Sequence, residues 1–357
     1  VVDGANVFLV FLILKELALK NAALWAGIIG LLTSSWAGGA VWGQIDGISQ
    51  FFILAVLLWI IRDQLAGGIP PVVFLAVSSL LTAMLLLTKQ LSIFSFISIE
   101  LLLAVCMFTG RKFRTGFSYL GILLGLQLFF VFVWDLFLRL PEPYRSHLQL
   151  VWGPRSNPGG QLSANGINLW VLLDRDMWSS SSDPLFPNSG SAFLNLPTPY
   201  AIGILLFLVF AAGITVSLLI FLRRRGLSNG AGTDREALLN FLLHLALINL
   251  GFNLLLTGTH ERYLFHCYPF LLIACLGLRE FDKRFSGWLI ALVLVGANLY
   301  GWFVLGVLQG GLAWNYQAHK YLAVYHLGLL AVLIFLTLSY QRRAAPAPAG
   351  RLPVRTG

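Results

Sequence analysis

The residues best equipped for chemistry stand together in Thr257-Gly-Thr-His-Glu-Arg-Tyr-Leu-Phe-His-Cys-Tyr-Pro, where His260, Glu261 and Arg262 lie between two long apolar runs. A guanidinium at the start of the run from Tyr263 opposes the positive end of that helix's dipole, so Arg262 asks for an anion. Two are on offer. Glu261 would make a structural ion pair, whereas a phosphate would take both the guanidinium and the free N–H groups of the helix start. His260 reads either as a hydrogen-bonded structural residue or as a contact to the same anion. Tyr263 and Tyr268 read as members of an interfacial aromatic belt.

Four more polar stretches interrupt the apolar chain: Trp42-Gly-Gln-Ile-Asp, Thr88-Lys-Gln, the segment from Asn165 to Trp170, and Trp314-Asn-Tyr-Gln-Ala-His. Asp46 reads either as the N-cap of the helix that follows or, with Gln44, as a cleft residue facing hydroxyls, an acceptor or a divalent cation. One carboxylate is a weak metal signal, and no other cofactor is implied. Lys89 is either a cation snorkelling from a span end or, with Gln90, part of a turn facing phosphate. Asn168 and Trp170 fall on a short amphipathic helix in a loop, with Trp170 at headgroup level. Glu100 stands in the middle of an apolar run. It is either a hydrogen-bonded neutral acid or a functional group.

The elements that must position these residues are set by composition. Hydrophobic residues make up 58% of the chain, charged residues 11%, and the mean hydropathy is +0.80. A soluble domain carries about a quarter charged residues, so this is an all-α polytopic membrane protein. The net charge of +9 lies in short loops, where it sets topology, and nucleic-acid binding is excluded. Cys106, Cys267 and Cys275 lie inside apolar runs without paired spacing and read as small buried hydrophobes.

Apolar windows at 22–40, 48–61, 71–87, 92–108, 117–138, 200–222, 237–256, 263–278, 287–308 and 321–340 give about ten complete spans, with one partial span at 7–14. The window at 48–61 is short for a crossing. If the loops alternate sides, most of the 24 Lys and Arg fall on one side, including Arg62, Arg223 to Arg225, Arg279 and Arg342, and that side is the cytoplasm. The five polar stretches then share the opposite face, where a substrate cleft at the membrane surface would need them. The chain divides into an N-terminal transmembrane module at 1–138, a long extracytoplasmic loop at 139–199, a C-terminal transmembrane module at 200–340, and a disordered cytoplasmic tail at 341–357. It begins at Val1, almost directly before an apolar run, and reads as a fragment.

Taken in order, WGQID, the Thr88-Lys89-Gln90 turn, SANGINLW and THERYLFHCYPF resemble the bacterial relatives of the GPI mannosyltransferase of the PIG-V type. These belong to the GT-C superfamily of integral membrane glycosyltransferases. The similarity covers nearly the whole chain, although Leu91 follows Lys89-Gln90 where relatives often carry a Lys-Pro-Gln turn. The resemblance implies a polyprenyl-phosphate sugar donor, often mannose, and inverting transfer to a glycan or lipid acceptor at the outer face of a bacterial plasma membrane. Gln44 and Asp46 would stand on the acceptor or metal side. Lys89, Gln90, His260, Glu261, Arg262 and Tyr263 would hold the donor phosphate and sugar, with loop contacts from Asn168 and Trp170. The catalytic carboxylate of the superfamily lies in the first outer loop, which places the base upstream of Val1. A transporter or flippase of a lipid-linked saccharide is the alternative, and a scaffold or glycan polymerase is a third.

Overall fold

The computed structural model describes residues 1–37, 46–67, 69–88, 92–108, 113–137, 166–173, 198–225, 234–259, 263–310 and 316–343. Among them every regular element is helical: α1 (Val2–Glu16), α2 (Ala22–Leu31), α3 (Thr33–Trp36), α4 (Asp46–Ala66), α5 (Pro71–Thr88), α6 (Ile93–Phe108), α7 (Phe113–Phe137), α8 (Pro199–Arg224), α9 (Arg235–Leu255), α10 (Cys267–Leu278), α11 (Gly287–Gly310) and α12 (Tyr316–Arg343). Short 3-10 turns cover Leu169–Leu172 and Leu264–His266.

Among the described residues, seven helices are long and apolar enough to cross a membrane: α4, α5, α7, α8, α9, α11 and α12. The protein is an integral, multi-pass membrane protein. The expectation of about ten full spans is not matched by the helices, and the shortfall has local causes. The window at 22–40 breaks at Leu32, whose φ of −57° and ψ of 132° end α2 after 10 residues. Helix α6 has 16 residues, about 24 Å of rise, short of the ~30 Å hydrocarbon core. The window at 263–278 opens with a 3-10 turn, which leaves 12 α-helical residues in α10. In the other direction, the window at 48–61 extends at both ends into the 21-residue α4.

Helix starts follow local chemistry. Thr198 caps α8 by accepting from the Ala201 N–H at 3.3 Å, with Pro199 in the first turn where its missing N–H costs nothing. Asp234 caps α9 by accepting from the Ala237 N–H at 2.7 Å.

Helix α9 is the centre of the molecule, with 94% of its apolar window buried, against 11% for α7 and 22% for α8, whose apolar surfaces are mostly uncovered. Helices α6, α8, α10 and α12 pack around α9, while α4, α5 and α7 extend the bundle on one side and α11 on the other. Beyond the first turn of α9, its four polar side chains, Asn240, His244, Asn249 and Asn253, are all buried. Asn249 exchanges hydrogen bonds with Ser95 of α6 at 3.1 Å, His244 bonds Thr215 of α8 at 3.0 Å, and Asn240 accepts from Gln341 of α12 at 3.4 Å. Each bond ties a different neighbour to the same helix.

The basic loops gather at one end. Arg62 Nε donates to Glu16 at 2.8 Å, Arg235 pairs with Glu280 at 2.8 Å, and Arg225 pairs with Glu236, which also accepts from Tyr340. In the loop before α11, Arg284 Nε donates to the Asp282 carboxylate at 3.0 Å and holds that carboxyl below its ordinary pKa. Glu100 is hydrogen-bonded: Gln127 of α7 donates to it at 2.6 Å and to Thr82 of α5 at 2.7 Å. The three cysteines are buried and form no disulfide.

At Gly301 the break between α2 and α3 meets α11, because a Cβ there would overlap the backbone of Thr33 and Ser34. Asn298, one turn earlier, accepts from the Thr33 N–H at 3.2 Å and from its hydroxyl at 3.0 Å. Gly301→Ala is therefore expected to cost about 1–3 kcal/mol through overpacking. Gly121→Ala, where a Cβ meets nothing within 4 Å, should cost nothing. Denaturation of both variants in detergent micelles checks the difference.

Candidate functional site

At the end of the bundle opposite the arginines, hydrogen bonds join described residues from all five polar stretches or their immediate flanks. Ser49, one turn into α4, donates to Thr88 at the end of α5 at 3.1 Å. Its neighbour Gln50 accepts through Oε1 from His266 Nδ1 at 2.7 Å, which fixes the proton of His266 on that nitrogen. Asn168 donates to the Thr259 hydroxyl at 2.9 Å and to the Leu256 carbonyl at 3.2 Å. His319, at the start of α12, donates through Nε2 to the Gly166 carbonyl at 2.7 Å and stacks on Phe303. Thr259 in turn donates to Asn253, whose amide donates to the Tyr263 carbonyl at 3.2 Å.

The segment at 166–173 forms a seat against α9. A Cβ at Gly166 would overlap the Thr259 carbonyl and hydroxyl, so only glycine lets the two backbones approach this closely. The next residues make a 3-10 turn capped by Asn168, whose Oδ1 accepts from the Trp170 and Val171 N–H groups at 3.1 Å. Trp170 is buried, and its indole N–H donates to the Leu255 carbonyl at 2.8 Å. The expected headgroup position is corrected: a buried carbonyl at the end of α9 is a better partner than the interface. Tyr268 is likewise no belt residue. It is fully buried, donating to His326 Nε2 at 2.6 Å while His326 Nδ1 donates to Leu322.

Asp46 is the first residue of α4 and is 1% exposed. Tyr263 immediately precedes the 3-10 turn before α10. Gln44, Lys89, Gln90, His260, Glu261 and Arg262 lie outside the described residues. Among those described, no three His, Cys, Asp or Glu side chains gather as a metal-binding group.

Sequence reasoning missed a second carboxylate. Helices α1 and α4 run side by side in the same direction, with Asn6 Nδ2 donating to the Gly47 carbonyl at 3.0 Å. Asp3 comes so close that its Oδ1 would lie 3.2 Å from a Cβ at Gly47. Asp3 and Asn6 line a cavity of about 50 Å³ with Ser35, Trp36, Gln50 and Phe265. Gln50 Nε2, a donor, and Asn6 Oδ1, an acceptor, are buried there without a protein partner among the described residues. A carboxylate, an unused donor, an unused acceptor and an indole around a small cavity suit a hydroxyl-bearing ligand. Asp3 sits in the first turn of an apolar helix, where an acid also complements the dipole, so its position in sequence gave no functional signal.

The chain matches no known protein family, no curated protein and no solved structure.

The seat at 166–173 depends on Asn168. Asn168→Ala strands its buried partners at about 1–3 kcal/mol each and should release this segment first. Amide hydrogen exchange is expected to show faster exchange at 166–173 with the centre of α9 unchanged.

Proposed function

We propose that this chain is the membrane-embedded part of a glycosyltransferase. It moves a sugar, mannose on the sequence resemblance, from a polyprenyl-phosphate donor to a glycan or lipid acceptor at the non-cytoplasmic surface. The observation that carries this reading is the cavity lined by Asp3, Asn6, Trp36 and Gln50, placed at the end where the polar stretches are hydrogen-bonded together. Its volume, about 50 Å³, suits a hydroxyl-bearing corner of a ligand rather than a whole sugar.

The reaction asks little beyond placement and charge. The acceptor oxygen attacks the anomeric carbon as the bond from that carbon to the phosphate oxygen breaks, inverting the centre. The acceptor proton passes to a carboxylate, which the sequence resemblance puts upstream of Val1 and for which Asp3 is our candidate within this chain, with Gln50 orienting the hydroxyl. The phosphate leaves with its electron pair and needs cations more than a proton, a role assigned to Arg262 and Lys89. His260, Glu261 and Tyr263 hold the donor head, and Gln44 and Asp46 the acceptor side. The polyprenyl tail stays in the bilayer throughout, which is why the cleft belongs at a membrane surface.

The test is transfer of labelled mannose from polyprenyl-phosphate mannose by the full-length protein in liposomes. Asp3→Asn should lower turnover about 100-fold or more, as loss of a general base does. Arg262→Ala should weaken both donor affinity and turnover. Movement of a lipid-linked saccharide across the bilayer without any transfer would replace this reading with a transporter.

A further inference from the structure

The arginine-rich end carries a second feature that the proposed reaction does not use. Between α8 and α12 lies a groove of about 450 Å³, open along its side. Its walls are apolar over most of their length, with Val209, Val216 and Ile220 from α8 and Ile334 and Leu338 from α12. From Val209 to Arg224 the groove follows α8 for about 22 Å at 1.5 Å per residue, close to the length of an extended acyl chain. Two guanidiniums, Arg224 and Arg342, line its end.

Those arginines differ from their neighbours. Arg225 is held by Glu236, Arg235 by Glu280 and Arg284 by Asp282, whereas neither Arg224 nor Arg342 is ion-paired among the described residues. The two residues are adjacent, since Arg224 Nη1 donates to the Arg342 backbone carbonyl at 3.5 Å. Just inside, the Ser217 hydroxyl donates to Gln341 Oε1 at 2.6 Å and pins the helices at this depth. Two cationic residues at the mouth of an apolar channel as long as an acyl chain match one chemistry: a phosphate head with a hydrocarbon tail. We propose that the groove is a binding site for an anionic phospholipid of the leaflet at the arginine-rich end. The head is held by Arg224 and Arg342, and one acyl chain lies along Val209, Val216 and Ile334.

Native mass spectrometry of the full chain, titrated with phosphatidylglycerol or phosphatidylcholine in detergent, tests the proposal. The wild type should retain one phosphatidylglycerol with about 30-fold preference over phosphatidylcholine, the effect of two arginines near a lipid surface. Arg224→Gln with Arg342→Gln should remove the preference and leave weak binding of both lipids. Gly213→Leu fills the groove at a site where a Cβ meets nothing within 4 Å, so the fold is kept and both lipids should be lost. Equal retention of the two lipids by wild type and variants would overturn the proposal. So would a protein dimer that binds neither lipid and is broken by Gly213→Leu, since a second copy would then occupy the groove.

Discussion

A helix surrounded by other helices in hydrocarbon gains little from apolar contact, because lipid tails are as apolar as leucine. Orientation then depends on groups that hydrocarbon cannot satisfy. In this protein those groups lie on α9: Asn240, His244, Asn249 and Asn253 are buried, and their partners are distributed over α12, α8, α6 and the loop at Tyr263. Rotating α9 about its axis would break every one of these bonds at once, and each unpaired group would cost about 1–3 kcal/mol. The asparagine amides at 240, 249 and 253 also donate to carbonyls one turn back. This fixes their rotamers and, at Asn240 and Asn249, turns the carbonyl oxygen toward the neighbouring helix.

That constraint reaches the candidate site through the end of α9. Asn253 holds the Tyr263 carbonyl and Thr259 holds the Asn253 carbonyl, so the turn after α9 is clamped from both sides. Asn168 then docks on the clamped turn and His319 on the segment that carries Asn168. A separate contact, from His266 to Gln50, joins this assembly to α4 and hence to the cavity beside α1. Residues separated by more than 200 positions are therefore placed by a chain of single hydrogen bonds rather than by one packed surface. Such a chain gives definite positions at low cost in apolar area, as the proposed binding of a polar ligand at this end would require.

Hydropathy alone carried the all-helical, multi-pass architecture, because the need to satisfy backbone groups internally leaves few other solutions for runs this apolar. It could not show where a run breaks. Leu32 has no proline or glycine beside it, and the break is stabilised by Asn298, far away in sequence. Nor could it separate an interfacial tryptophan from a buried one, since Trp170 is buried by a carbonyl of α9 and by the absence of a side chain at Gly203. Asp3 was passed over for a similar reason. An acid in a first helical turn is ordinary, and only its approach to Gly47 and the unused amide atoms of Asn6 and Gln50 distinguish it. Much of the predicted donor site, from His260 to Arg262 and at Lys89, falls outside the described residues.

The two ends of the bundle treat charge in opposite ways, and the contrast bears on mechanism. At the arginine-rich end the cations meet carboxylates across loops, as Arg62 meets Glu16 and Arg235 meets Glu280, and these exposed pairs contribute little to stability individually. They anchor loops in water and fix which end stays outside the hydrocarbon. At the other end the contacts are among serine, threonine, asparagine, glutamine, histidine and a backbone carbonyl, with no ion pair in them, and they are mostly buried. A scaffold of hydrogen-bonded dipoles adds no net charge of its own. A charge buried among such groups interacts more strongly with a single cation than it would in water. Chemistry that separates a proton from one oxygen and delivers negative charge to another gains most from such a surrounding, because the two charges are not screened from the groups placed to receive them.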